Sequence, residues 1–273
     1  MPELPEVETV RNTLKKYILN KTIKSVELYY DDIVATDKTK FINGLKNKKI
    51  KDILRVGKWL IFELDDFYML SHLRMEGKYF IKNYDEERNK HEHVIFNLND
   101  CTLRYHDTRK FGKMYLVEKD KLHTDTPLKD IGLEPFSKEF DANYLKAKLN
   151  KNKPIKTLLL EQDKIAGIGN IYADEILFLS RINPLTKGSS LTNKNLEDIA
   201  KYSKSVLEEA IKMGGTTIRS YTSSLGVTGR FQQSLKVHCR EKEECFNCKE
   251  KIIKITVSGR GTYYCPNCQK EVM

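Results

Sequence analysis

The sequence has no stretch approaching the roughly 20 successive apolar residues that a bilayer-crossing helix requires, and its start lacks a basic segment followed by a long apolar run. A membrane-spanning or exported chain is therefore not expected, and a cytoplasmic location is. No unit recurs at a fixed period, which excludes a solenoid or propeller built from stacked repeats. Negative charge is in short supply: 38 Asp and Glu face 48 Lys and Arg, leaving +10 spread along the chain instead of gathered in a tail. That balance favours a polyanionic partner, but lysine-rich surfaces are common and charge alone identifies none.

At 273 residues the chain has material for one large domain, or two smaller ones with a small appendage. Short β-like runs dominate residues 23–117: TIKSVELYY, KIKDILRV, WLIFELDD, FYMLSHL, HVIFNL and CTLRYHD. Several alternate apolar with polar residues, as half-buried antiparallel strands do, so a two-sheet β-sandwich is expected. Before it, Val7, Val10, Leu14 and Ile18 have the spacing of a short amphipathic helix. After the DTPLKDIGLEP linker the period turns helical, near 142–149, 155–160, 170–179 and 195–213. Residues 214–233 are polar and poor in apolar anchors, which suggests a mobile, ligand-recognising loop. The expectation is a multidomain α+β chain divided at 1–130, 131–237 and 238–273.

Cys245, Cys248, Cys265 and Cys268 form two C-x-x-C pairs flanking a hairpin pattern, IIKITV and TYY around Ser258-Gly259-Arg260-Gly261. Two such turns supply the four thiolates of one tetrahedral zinc site, with disulfides as the weaker alternative. With every coordination position filled by sulfur, the ion is structural and no catalytic metal is implied. Arg260 in the hairpin turn either grips a phosphate or is simply solvated. Cys101 reads as a small buried hydrophobe, and Cys239 lies outside the paired spacing. At the chain start, Pro2 is a small second residue of the kind that permits removal of Met1. The terminal secondary amine so exposed is less basic than a lysine and can attack an electrophilic carbon.

The stretches PELPEVETVR, LSHLRMEGKY, RYHDTRKFG, LLLEQDKIAGIGNIYADEILF, GGTTIRSY, GRFQQSLKVH and SGRGTYYCPNCQ span nearly the whole chain. In them the chain resembles the bacterial formamidopyrimidine-DNA glycosylases, which share their architecture with the endonuclease VIII type. The resemblance implies an N-terminal catalytic β-sandwich, a helix-two-turn-helix module with a lesion-capping loop, and a four-cysteine zinc finger. It implies one structural zinc, no catalytic metal or redox cofactor, and damaged double-stranded DNA as partner of a monomeric enzyme.

By the same resemblance Pro2 is the nucleophile at the sugar C1′, Glu3 the acid that assists ring opening, and Lys58 a catalytic lysine beside a phosphate. Glu6 lines the pocket for the damaged base, and otherwise reads as a carboxylate favoured at a helix start. Met75, Arg109 and Phe111 would ordinarily be judged core or surface residues; the resemblance makes them the side chains inserted when the damaged nucleotide is turned out. Asn170 is a phosphate binder or a helix N-cap, with Arg260, His72 and His91 as further phosphate-region residues. Thr216, Thr217, Ile218, Arg219, Ser220 and Tyr221 fall in the capping loop.

Leu4 favours the oxidised-purine enzymes, because the pyrimidine-directed type tends to carry glycine there. 8-Oxoguanine opposite cytosine and ring-opened purines are thus the expected substrates, followed by β,δ-elimination of the strand. Val237-His238-Cys239-Arg240 departs from the family's usual tyrosine and glycine, which leaves the hinge before the finger open. The competing expectations are an oxidised-pyrimidine glycosylase, or a non-enzymatic zinc protein with no need of Pro2 and Glu3.

Overall fold

Pro5 has no amide hydrogen, and the first helical turn is where none is needed, so helix α1 (Leu4–Ile18) begins directly after Glu3. Its Val7, Val10, Leu14 and Ile18 are fully buried on one face, while Lys15 and Lys16 meet the negative end of the helix. The computed structural model describes residues 1–216 and 229–270. They form two units: Met1–Asp130 with the described part of Gly214–Gly229, and Ile131–Met213 with the described part of Arg230–Met273.

The first unit continues with β1 (Thr22–Ile23), β2 (Ser25–Leu28), α2 (Lys38–Leu45), β3 (Lys48–Lys49), β4 (Asp52–Val56), β5 (Trp59–Glu63), β6 (Phe67–His72), β7 (Lys78–Lys82), β8 (Glu92–Asn97), β9 (Thr102–His106) and β10 (Lys113–Glu118). Two antiparallel four-stranded sheets run in the orders β10-β6-β5-β4 and β2-β8-β9-β7. Alternation sends Leu60 and Phe62 of β5, Val94 and Phe96 of β8, and Leu103 and Tyr105 of β9 into one cluster with the apolar face of α1. This is the expected sandwich, its core shared by both sheets. The TIKSVELYY run splits at Lys24, because β1 pairs with β3 while β2 pairs with β8. Helix α2 was not expected: Asp37 caps it by accepting from Lys40 N at 2.6 Å, and Phe41 and Leu45 are buried in the core with Ile42 packed against it. Three apolar positions within a single turn and a half are too few to establish a period.

The second unit holds α3 (Ala142–Leu149), α4 (Ile155–Leu160), α5 (Asn170–Leu179), α6 (Asn193–Lys212), β11 (Ile253–Val257) and β12 (Arg260–Tyr264). Thr192 caps α6 reciprocally with Asn195, which moves its start ahead of the expected residue 195. The polar stretch expected to be a mobile loop is anchored at its far end, where Phe231–Ser234 form a short 3-10 turn. Phe231 is buried there, 5.6 Å from the Tyr172 ring. In the hairpin the register pairs Val257 with Arg260, so the turn proper is Ser258-Gly259, both at positive φ (46° and 75°). Arg260 therefore opens β12 instead of sitting in the turn. Among the described residues no helix is long and apolar enough to cross a membrane.

Four charged groups are buried where α5 meets the segment before the finger. Glu175 accepts the backbone N–H of Lys236, Val237 and His238 at 2.7, 3.0 and 2.9 Å. Asp174 takes Lys156 Nζ at 2.6 Å on one oxygen and His238 Nδ1 at 2.6 Å on the other. Burial alone would push the His238 pKa down, but the hydrogen bond and charge of Asp174, helped by Cys239, hold it up at about 9. Cys239 takes φ +61°, a left-handed backbone that suits the family's glycine at this position.

The folded pKa of His238 lies above its ordinary 6.5, so its contribution to stability is complete below pH 6.5 and fades as pH rises towards 9. Urea unfolding should lose up to about 3 kcal/mol between those limits. His238→Gln should remove that part of the pH dependence, and an unchanged profile would contradict the charged pair.

Candidate functional site

Glu3 is the N-cap of α1, with extended backbone and only 2 % exposure, and Pro2 before it is buried. The Glu3 N–H donates to Glu6 Oε2 at 2.9 Å, satisfying one of the amides that a helix start leaves unpaired. The other Glu6 oxygen accepts Thr216 N at 2.7 Å and Thr216 Oγ1 at 3.1 Å, across 210 positions of sequence. Gly215, at φ +78°, makes this approach possible, since a Cβ there would come within 2.7 Å of Glu6 Oε1. Glu6 is thus at once a helix-start carboxylate and the anchor of the segment beginning at Thr216. Thr217, Ile218, Arg219, Ser220 and Tyr221 lie outside the described residues.

Lys58 is carried by the two-residue turn between β4 and β5, in which Gly57 takes φ +57°. Arg55 fixes that turn, donating Nη1 to Gly57 O at 3.0 Å and Nε to Glu8 of α1 at 2.8 Å. Burial opposes ionisation of Glu8, but Arg55 and Arg11 hold its carboxyl below the usual range, so the tie between helix and sheet is ionic. Lys58 itself is 5 % exposed, and Trp59 beside it meets the His72 ring edge-on at 4.7 Å. Burial first, then the Arg74 and Lys58 charges, bring the His72 pKa down to about 3. His72 Nδ1 accepts from Arg74 N at 2.9 Å, so the neutral ring carries its proton on Nε2, as a donor.

Met75 is half-buried, whereas Arg109 is exposed and Phe111 is 50 % exposed, with the Arg109 guanidinium 4.7 Å from the Phe111 ring centre. Phe111 is therefore not core filling. A large aromatic held out beside a cation is the feature that a stacking or insertion role needs. His91 is half-buried, its ring 5.6 Å from that of His106.

In the second unit the N-cap of α5 is Gly169, and Asn170 is the first helical residue, not the cap. Its Nδ2 donates to Gly261 O at 2.8 Å, while its Oδ1 is buried without a hydrogen-bond partner among the described residues. Asn170 thereby joins the first turn of α5 to the hairpin strand that opens with the exposed Arg260. Sequence reasoning did not single out Lys156, Asp174 or Glu175; as polar residues in helical segments they are indistinguishable from solvated ones.

Cys245, Cys248, Cys265 and Cys268 bring their Sγ atoms within 4.8 Å of one another. The Cys245–Cys268 and Cys248–Cys265 separations are 3.9 and 3.4 Å, far beyond the roughly 2 Å of a disulfide. Metal–sulfur bonds of about 2.3 Å in a tetrahedron put the sulfurs about 3.8 Å apart, so the residues fit one zinc. Bound, it would hold the finger together with no open position for chemistry. Cys101 and Cys239 stand apart, the first buried in the sandwich core. Metal analysis should find one zinc per chain, and Cys245→Ala should abolish it and lower the thermal midpoint by about 5 °C or more. Zinc retained by that variant would refute the four-thiolate site.

Three family models match the chain: the formamidopyrimidine-DNA glycosylase N-terminal domain over residues 1–114, the formamidopyrimidine-DNA glycosylase H2TH domain over 131–222, and the zinc finger found in FPG and IleRS over 242–270. The formamidopyrimidine-DNA glycosylase of Bacillus subtilis is 46 % identical over 273 residues, covering 98 % of this chain and 99 % of its own. That of Lactobacillus delbrueckii is 44 % identical over 272 residues, covering 99 % and 100 %. A mutant of Lactococcus lactis FPG in complex with a Fapy-dG containing DNA superposes with a TM-score of 0.94 at 43 % identity, over 99 % of this chain and 100 % of that one. The same protein has been solved with an abasic site containing DNA, at a TM-score of 0.94 and 43 % identity over 98 % and 100 % of the two chains. The chain belongs to the formamidopyrimidine-DNA glycosylase family.

Proposed function

We propose that this protein excises oxidised purines from double-stranded DNA through a Schiff base on Pro2 and then cleaves the strand. The observation that carries the reading is the buried Pro2-Glu3 pair at the start of α1, in a chain alike from end to end to named formamidopyrimidine-DNA glycosylases. While Met1 is attached, the Pro2 nitrogen is an amide and cannot attack. Its removal leaves a secondary amine at the positive end of a helix, where the protonated form is disfavoured and the lone pair is available.

The amine attacks C1′ of the damaged nucleotide as the bond to the base breaks, and the base leaves with its electron pair and takes up a proton. Glu3, next to Pro2 in the chain, delivers a proton to O4′ as the sugar ring opens to an iminium. The iminium acidifies C2′–H; loss of that proton expels the 3′ phosphate, and a second elimination expels the 5′ phosphate. Lys58, fixed through Arg55 and Glu8 to the helix bearing the nucleophile, supplies positive charge to a phosphate nearby. Neutral His72 adds a hydrogen bond without competing for a proton.

Turning out a base costs a few kcal/mol of unstacking, which insertion of Met75 and Phe111 offsets while Arg109 faces the orphaned partner base. Glu6 and Thr216 border the base pocket. Asn170, Arg260 and His91 grip phosphates, with the +10 net charge as a general attraction. Functionally the chain divides at 1–130, 131–237 and 238–273, and it acts as a cytoplasmic monomer. A Lactococcus lactis FPG structure with an oxidised pyrimidine containing DNA favours some activity on pyrimidine lesions as well.

Incubation with an 8-oxoguanine duplex and borohydride, followed by peptide mapping, should yield a reduced adduct on Pro2. Strand cleavage by protein that quantitatively keeps Met1, or an adduct confined to a lysine, would reject the nucleophile. Arg260→Ala should weaken binding to all duplexes alike and reduce the salt slope by about one. An unaltered slope would remove Arg260 from the phosphate contacts.

A further inference from the structure

Asp107 has no exposed surface, yet every polar atom it owns has a partner. Its N–H donates to His91 O at 3.0 Å, and its carbonyl meets His93 Nε2 at 2.9 Å. Oδ1 accepts Arg109 N at 2.9 Å; Oδ2 accepts Phe111 N at 3.0 Å and Gly112 N at 2.9 Å. Three backbone amides of a single turn thus converge on one carboxylate, and between them Lys110 adopts φ +59°, a conformation an L-residue takes only when its surroundings impose it.

Below the turn lies the Tyr105 hydroxyl, 3.4 Å from Asp107 Oδ2. It is packed so closely that a Cβ on Gly112 would fall 1.7 Å from it and a Cβ on Gly77 2.2 Å from it. Gly112 ends the turn bearing Arg109 and Phe111, and Gly77 ends the turn bearing Met75, where its N–H donates to Leu73 O at 2.9 Å. Thr108 Oγ1 donates to Glu76 and closes the same gap from outside. One hydroxyl is therefore the spacer between the two turns, and neither tolerates a side chain at its point of contact. The contrast with the side chains is sharp: the backbone is fixed by buried groups while Arg109 and Phe111 project into solvent.

We infer that Asp107 is the positioning residue for insertion into the DNA stack, and that the Tyr105 hydroxyl sets the distance from Arg109 and Phe111 to Met75. This rests on the insertion reading of those three side chains given above. A turn already locked in shape loses no backbone freedom when it enters the duplex, so the interaction of Arg109 with the partner base is expressed in full as discrimination. Asp107→Asn presents an amide NH2 where Phe111 and Gly112 present N–H groups, setting donor against donor and opening the turn with little change in volume.

The test measures single-turnover excision of 8-oxoguanine opposite cytosine and opposite adenine. It also follows cleavage of an abasic single strand, which offers no partner strand to enter. Asp107→Asn is expected to slow excision opposite cytosine at least about tenfold and to shrink the cytosine-over-adenine preference to that of Arg109→Ala. Cleavage of the abasic single strand should change by less than about threefold. Added to Arg109→Ala, Asp107→Asn should reduce the preference no further, because the two act through one contact. Tyr105→Phe, which deletes one oxygen and keeps the ring, should move the preference the same way to a smaller extent and serves should Asp107→Asn fold poorly.

Equal loss on all three substrates, or a cytosine preference intact in both Asp107→Asn and Tyr105→Phe, overturns the inference. If Arg109→Ala and Phe111→Ala themselves leave excision and preference unaltered, the insertion reading falls and this inference with it. If they alter both while the Asp107 and Tyr105 variants do not, the positioning role alone is lost.

Discussion

A carboxylate withdrawn from water must find donors, and in this protein the amides of loops supply them. Glu6 gathers Glu3 N and Thr216 N, Asp107 gathers the amides of Arg109, Phe111 and Gly112, and Glu175 gathers those of residues 236–238. Each carboxylate is nearly or wholly buried. Leaving such a group unpaired costs more than making the bond gains, so the loops are held by the penalty of letting go as much as by attraction.

The sandwich and the helical unit use the same device for different ends. In the first unit it fixes the start of α1, just after Pro2 and Glu3, and the turn that projects Phe111 and Arg109. In the second it seats the segment leading to the finger on α5, while Lys156 and His238 balance Asp174. The finger's own rigidity comes from sulfur geometry, since a small hairpin buries too little to stand alone. Arg260, at the start of β12, is thereby placed by a metal knot on one side and by the Asn170–Gly261 bond on the other.

The reach of sequence reasoning followed the length of the physical signal. Periodic apolar residues disclosed α1 and α6, and short apolar runs bounded by polar clusters disclosed β5 and β8, because burial imposes those patterns directly. Helix α2 carried three apolar positions, Phe41, Ile42 and Leu45, over too short a span and stayed hidden. The C-x-x-C pairs were readable because one ion demands four ligands of one kind. Asn170 was half-readable: its place at a helix start was evident, but Gly169 took the cap and Asn170 reached Gly261, 91 positions away.

By itself the sequence determined most element types, the zinc ligands and the family, since each depends on residue identity and spacing within a short window. Only the tertiary structure decided that Glu6 binds Thr216, that His72 is neutral with its proton on Nε2, that His238 is charged, and that Asp107 governs the Arg109 and Phe111 turn. Those properties arise from desolvation and from donors brought together across the fold, and neither can be read from a residue's neighbours along the chain.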